Sequence, residues 1–539
     1  MPHRHILAAT ACLFAIATAN SAQAEGRRAK DAHAQHELLE EVRALRSEVA
    51  SLKAQVNAQA EMQVQSSAAN ARLEASMVSS QADTKAVDAK LEAIPAAIAA
   101  SAEKARHADN FGMKGLTITP GGFLTLTGIY RQHFMGNDIS SGFNTIPFPN
   151  VRTGRLSEAR ITPRATRLSL LVEGAPNPQT KLSFYGEFDF QGAAQNANSN
   201  QSNSFNPRIR NLYGSIDWLR PGWGLHLLAG QNWSLLTMSS HGITPRNEVA
   251  PPEIDGQFMP GFVWTRQPQV RLTADFLDRQ FWVAVSAENP QTTFGGAVPP
   301  NITNVAPGGV GFDTNNTLSL NQLPDLAGKI AYEGKIAGRS IHIEGFGIYR
   351  QFSVRNSLGR NSHATGFGFG GGIIVQLFPN LLDAQFSGMS GHGLGRYGSA
   401  QLPDVTFAAD GTIEPIPATM LLAGLTLHAT RRLDIYGYVG EERVSRRDFG
   451  SVDGILYGYG NVLANNTGCL TEGGVCNGNS RRVRQVAAGF WQDLYRGDFG
   501  RAQIGMQYSF TDRDLFSALG GGPRAKQNMG FISFRYFPF

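Results

Sequence analysis

The sequence is short of cysteine, short of lysine and free of long apolar runs, and each shortage excludes something. Three cysteines in 539 residues rule out a disulfide-dense scaffold and a cysteine-rich zinc module. No run of about 18 apolar residues occurs, so a helical membrane span is excluded. Charged residues are only 17%, yet an apolar share of 42% is too high for global disorder. What is present is 60 glycines, 32 phenylalanines and a basic complement that is overwhelmingly arginine, with ten lysines against 38 arginines. Polar on average, rich in glycine and aromatics and without spans is the composition of a transmembrane β-barrel, whose strands alternate rather than run apolar.

Residues 1–24 read as a signal peptide: a short basic start to His5, an apolar stretch from Ile6 to Ala19, and Ala22-Gln23-Ala24 as the cleavage site. Cys12 leaves with it. Cys469 and Cys476 remain, an even pair in an exported chain, which points to a disulfide. Closing so short a loop is worth roughly 2–3 kcal/mol on the chain-entropy account.

From Leu38 the apolar residues step by four and three through Val42, Leu45, Val49, Leu52 and Val56. That heptad, with Glu41 and Glu48 placed to meet Arg46 and Lys53 of a neighbouring helix, predicts a parallel α-helical coiled coil over residues 36–98. Valine and leucine at the core positions lean toward a dimer. Residues 99–110 form the expected linker, and 111–539 the barrel.

The strand period shows best at 181–190, where Leu182, Phe184, Phe188 and Phe190 share one face and Lys181, Ser183, Glu187 and Asp189 the other. Sixteen such segments follow from 122 to 539, of which 208–217 and 364–377 are poorly phased. Their connections alternate between long and short. Long ones fall near 131–164, 191–207, 233–267, 288–324, 351–363, 393–417, 444–481 and 512–526; short ones hold Pro221-Gly222, Pro379-Asn380 or similar pairs. Short turns on one side and long loops on the other mark an outer-membrane barrel. The expected fold class is therefore all-β: a 16-stranded antiparallel transmembrane barrel behind the coiled coil. The chain closes on Tyr536, Phe537 and Phe539, an ending that the outer-membrane assembly machinery reads.

Lipid cannot hydrate a charge, so charged positions face the lumen or the rims. In 268–276, Val270, Leu272, Ala274 and Phe276 are expected outward and Gln269, Arg271 and Thr273 inward. Barrels of about this strand number enclose a water channel. Its lining is biased to arginine: Arg167 on the second strand, Arg208 and Arg210, then Arg266 and Arg271 opening later strands. A guanidinium fork matches a carboxylate in two directions, as an ammonium cannot. Isolated loop arginines are better read as rim charges meeting lipopolysaccharide phosphate.

Gly230-Gln231-Asn232-Trp233-Ser234, the segment from Arg266 through Gln269 to Arg271, Pro324-Asp325-Leu326 and the run from Gly391 to Tyr397 resemble the DcaP-like outer-membrane porins. The resemblance implies a sixteen-stranded homotrimer with a periplasmic coil and a preference for small organic anions such as dicarboxylates. It also implies that the loop after Trp233 turns toward the pore, with Arg266, Gln269 and Arg271 on its anion-facing wall.

Other chemistry finds no support. The glycine pattern at Gly366, Gly368 and Gly371 sits in a strand with no following helix, so it is not a dinucleotide motif. His33 and His36 are two ligands short of a metal site, no catalytic constellation occurs, and the arginines form no continuous basic stripe for nucleic acid. No cofactor is expected. The remaining rival is a structural tether, since a helix from 36 to 98 would reach roughly 90 Å toward the cell wall. An arginine-lined lumen favours the porin.

Overall fold

The computed structural model describes residues 115–192, 203–307 and 317–538. The signal segment, the 36–98 coil and the 99–110 linker lie outside the described residues. Sixteen antiparallel strands form one closed sheet. They are β1 (Leu116–Arg131), β2 (Glu158–Thr162 continuing as Arg167–Asn177), β3 (Thr180–Asp189), β4 (Arg208–Arg220), β5 (Trp223–Trp233), β6 (Arg266–Phe276), β7 (Phe281–Glu288) and β8 (Asp325–Ile336). The second half is β9 (Arg339–Asn356), β10 (Asn361–Phe378), β11 (Leu382–His392), β12 (Pro417–Thr430), β13 (Leu433–Val444), β14 (Ser480–Gly497), β15 (Gly500–Leu515) and β16 (Arg524–Phe537). Each strand pairs with its chain neighbour, and β16 returns to β1 with Leu124 opposite Tyr536 and Arg131 opposite Met529. Closure leaves no free edge, which is the only way a sheet satisfies its backbone in lipid.

The expected alternation is realised. Val270, Leu272 and Phe276 are exposed on the outside while Gln269, Arg271 and Thr273 are buried within. Ile532 and Phe534 face out, with Ser533 inward between them. The two poorly phased segments have physical reasons. Opposite β3, β4 carries a bulge at Arg210, so that Arg210 and Asn211 both turn inward, the local re-aiming that an extra residue produces. In β10 five glycines between Gly366 and Gly372 leave little side chain to reveal a phase.

Loop lengths depart from expectation at two places. The connection expected near 351–363 is a tight turn, because β9 and β10 each run 18 residues. The last one shrinks to residues 516–523 because β15 and β16 are longer than their apolar alternation. The true long loops do not stand clear of the barrel. Residues 234–265, with parts of 132–157 and 393–416, fold inward and supply buried side chains such as Leu236, Met259, Phe262, Ile139 and Leu394. Their partners are inward residues of the wall, including Trp282, Ala331, Phe346 and Leu422.

Cys469 and Cys476 form a disulfide in the loop between β13 and β14. A crosslink in a long loop is expected at the surface, yet Cys469 is fully buried among Ile146, Phe148, Leu515 and Ala525. The loop after β1 and the loop after β13 thus share one small apolar cluster.

Candidate functional site

The lumen is shaped by the 234–265 loop, and the wall holds that loop with carboxylates. Inward-facing Glu288 on β7 accepts the Leu235 amide at 2.8 Å. Glu333 on β8 accepts the Gly242 amide at 2.5 Å. Glu344 on β9 accepts the Ser239 amide at 3.0 Å and the Lys329 ammonium at 2.8 Å. Glu442 on β13 accepts the Gly261 amide at 2.9 Å. A loop crossing a barrel has no ladder to satisfy its N–H groups, and each one left bare would cost about 1–3 kcal/mol. These carboxylates supply the missing acceptors. Gly261 is required here: its φ is +91°, and a Cβ would lie 1.9 Å from the Leu421 carbonyl oxygen.

The opposite wall is different. A cavity of about 440 Å³ lies between the loop and the strands β1–β5 and β13–β16, with Asp434 of β13 in its lining. Arg167, Arg210, Arg501 and Arg535 stand on it, with Trp233 and Trp491 between them and Glu248 and Glu253 on the loop side. Arg210 is neutralised by Glu187 at 2.5 Å and Asp189 at 3.1 Å. Arg208 grips Asp189 with two bonds, at 2.9 and 2.6 Å.

Four other arginines are arranged another way. The guanidinium of Arg535 lies 4.0 Å from the Trp491 ring centre and 5.0 Å from that of Phe123. Arg167 lies 5.4 Å from Phe123, and Arg501 lies 4.3 Å from Phe537. Arg266 sits over Trp233 at 4.7 Å and Trp264 at 5.2 Å. Among the described residues none of these four has a carboxylate within ion-pairing distance. An aromatic face attracts a cation by about 0.5–2 kcal/mol without cancelling its charge. These side chains are therefore held in place by rings that leave their charge uncancelled.

The segment from Arg266 to Arg271 divides between the two walls. Arg271 points inward as expected, but it is only 4% exposed and so does not face open water. Its guanidinium donates to the Trp233 carbonyl at 2.5 Å and to Gln269 Oε1 at 3.1 Å. Gln269 donates in turn to the Asn232 and Trp233 carbonyls at 3.1 and 2.9 Å. Both side chains clamp the point where β5 hands over to the loop. Trp233 is itself 8% exposed and serves as the plate beneath Arg266. Of the residues singled out from the sequence, Arg167, Arg210 and Trp233 meet at the cavity, Arg266 and Arg208 flank them, and Gln269 and Arg271 lie beneath the loop.

The alternation along 500–511 turns Arg501 inward, whereas Arg535, Trp491 and Phe123 are not among the residues expected to line the pore. The available signal was the way Arg535 breaks the lipid-facing alternation counted back from the terminal phenylalanine.

The loop's own carboxylates are weakened. Glu253 is 5% exposed, and neither of its oxygens finds a hydrogen-bond partner among the described residues. Burial, reinforced by neighbouring Asp255, holds its pKa well above the ordinary carboxylate range. Burial raises Asp255 and Glu248 as well. The loop side of the cavity is thus less negative than its composition suggests.

No protein-family model and no curated protein matches the chain. Solved structures do. The outer membrane channel DcaP of Acinetobacter baumannii is 19% identical, over 80% of this chain and 99% of that one, with a TM-score of 0.56. An anion-selective porin from Comamonas acidovorans (12% identity, 78% and 99% coverage, TM-score 0.40) and OmpT of Vibrio cholerae (10%, 80% and 100%, TM-score 0.39) are more distant. The likeness to DcaP extends over the whole barrel and is one of fold.

Proposed function

We propose that the chain is an outer-membrane porin that passes small, preferentially anionic solutes, dicarboxylates among them, through an arginine-lined channel. The observation that carries this reading is the contrast in pairing. Carboxylates on one wall are consumed in holding the loop, while four arginines elsewhere on the lumen have no carboxylate at ion-pairing distance among the described residues. A unit charge about 4 Å from a fixed guanidinium gains ~1 kcal/mol in bulk water and ~4 kcal/mol at an effective dielectric of ~20. A narrow lumen lies between those limits. Attraction of that size enriches anions severalfold and still permits release, as conduction requires. No bond chemistry is involved.

Further parts of the reading rest on the sequence. The heptads of 36–98 support a periplasmic coil, and the resemblance to DcaP-like porins supports a homotrimer over the dimer lean of the valine–leucine core. The test is electrical: purified protein in a planar bilayer, with a tenfold salt gradient. A reversal potential on the anion side, together with a fall in conductance when succinate is added, supports the proposal. A cation-side potential contradicts it.

A further inference from the structure

We infer that the outer face of β11–β16, at its long-loop end, is a binding site for a phosphorylated, multiply acylated glycolipid of the outer leaflet, the lipopolysaccharide class. The site is legible in the strand registers. Along β13–β16 the outward residues run in rows across the sheet. One row is Ile435, Phe490, Met506 and Ile532, and another is Val439, Val486, Phe510 and Asn528. The next row toward the long loops is Glu441, Arg484, Asp512 and Lys526, and the one beyond it is Arg443, Arg482, Asp514 and Arg524. The change from apolar to charged takes a single step of two residues, about 7 Å. An arginine or lysine facing mid-bilayer lipid costs about 2–4 kcal/mol, falling toward zero at the interface. The charged rows therefore mark the headgroup level.

Two depressions lie one above the other across this step. The lower, of about 540 Å³, is walled by Phe386, Leu421, Ala423, Val439, Val486 and Phe510, and it ends upward at Arg484 and Asp512. It is a slot for acyl chain. The upper, of about 550 Å³, lies among Ser390, Thr419, Arg443, Arg446, Arg481 and Arg482. It is a polar, basic seat for a headgroup.

The basic side chains outnumber their partners. Arg482 and Arg524 both bond Asp514, and Arg484 and Arg524 both bond Asp512. Arg443 reaches Glu441 only at 4.0 Å and is 59% exposed along its side chain. Arg481 and Lys526 have no carboxylate partner among the described residues. Each basic residue at such a surface attracts an anionic headgroup by an amount that adds over the cluster, and guanidinium forks match phosphate oxygens in pairs. The patch is also local. Near the long-loop ends of β4, β6 and β8 the outward residues are Ile209, Pro268 and Leu326. A general rim requirement would have charged those as well. Clustered positive charge above an apolar slot fits an acylated phosphate, and it disfavours a second copy presenting the same face.

The experiment uses the full-length protein, stripped of co-purifying lipid by detergent exchange and titrated with hexa-acylated bisphosphorylated lipid A under native mass spectrometry. Binding should be saturable. It should weaken about tenfold or more in an R443E/R481E double variant, and severalfold in A423W, which fills the slot from an outward position. Dephosphorylated lipid A should bind severalfold less, and an excess of inorganic phosphate should not displace the intact lipid. Heat-modifiable mobility on gels reports that each variant's barrel is closed. Equal binding by wild type and both variants would overturn the inference. So would a variant that loses subunit association while keeping its lipid, since the face would then belong to a second copy.

Discussion

The two walls of the lumen use the same strand alternation for opposite purposes. On β7, β8, β9 and β13 the inward carboxylates Glu288, Glu333, Glu344 and Glu442 each accept an amide of the 234–265 loop. On β2, β15 and β16 Arg167, Arg501 and Arg535 lie on aromatic rings, with no carboxylate at ion-pairing distance among the described residues. The first wall is charge consumed in structure. The second is charge left without an ion pair, which the proposed function assigns to solutes. A residue's direction along a strand does not decide between these; what decides is whether a loop covers it.

Breaking the loop-bearing wall should have the largest effect. Glu344 is buried and accepts from Lys329, Ser239 and His342. Glu344→Ala would leave the buried Lys329 ammonium without its counter-charge, held only by the Thr237 carbonyl, and a loop amide unpartnered, a loss of about 3–5 kcal/mol. The loop should detach from β9, and single-channel conductance should rise with noisier openings. Unchanged conductance at a lowered unfolding temperature would mean that the other carboxylates suffice to hold it.

A smaller effect should come from pH. The protonated form of Glu253 favours the packed loop. That contribution is full below the ordinary carboxylate pKa of about 4.3 and is lost as pH climbs through the raised value. Ionisation also adds a negative charge opposite the arginines. Anion preference should therefore fall as pH rises, and Glu253→Gln should flatten the profile. A wild-type profile with no change on the alkaline side of the ordinary carboxylate range would remove Glu253 from the electrostatics of the pore.

The smallest functional effect belongs to the disulfide. Replacing Cys469 and Cys476 with Ser should lower stability by roughly 2–3 kcal/mol, because the pair is packed with Ile146 and Leu515. Selectivity should stay as it is, since that cluster includes none of the pore arginines. A shift in reversal potential in this variant would connect the loop after β13 to the constriction.

Much of the barrel was legible because lipid imposes a strict rule. Phe184 must face out and Ser183 in, so strand identity follows from alternation alone. The rule fails where it is locally suspended: at the bulge that turns Arg210 and Asn211 the same way, and in glycine-rich β10, which has few side chains to read. The candidate site was half legible. Arg167, Arg210 and Trp233 line the cavity; the first two came from the clustering of arginines and Trp233 from the family resemblance. Arg271 has an inward phase, yet it is spent on the Trp233 carbonyl, because the covering is done by a loop whose path no strand period encodes. Arg535 was overlooked for the converse reason: its partners Phe123 and Trp491 come from strands far apart in the chain and meet only when the barrel closes.

The division of labour between the walls is tested most directly by reversal potentials of Arg535→Ala and Arg271→Ala, measured in the same salt gradient. Arg535→Ala removes a charge with no carboxylate at ion-pairing distance and should lower the anion-to-cation permeability ratio severalfold with the barrel intact. Arg271→Ala removes a covered clamp. It should lower the unfolding temperature and increase current noise while shifting the ratio far less. The opposite order, with selectivity lost in Arg271→Ala and kept in Arg535→Ala, would contradict the account.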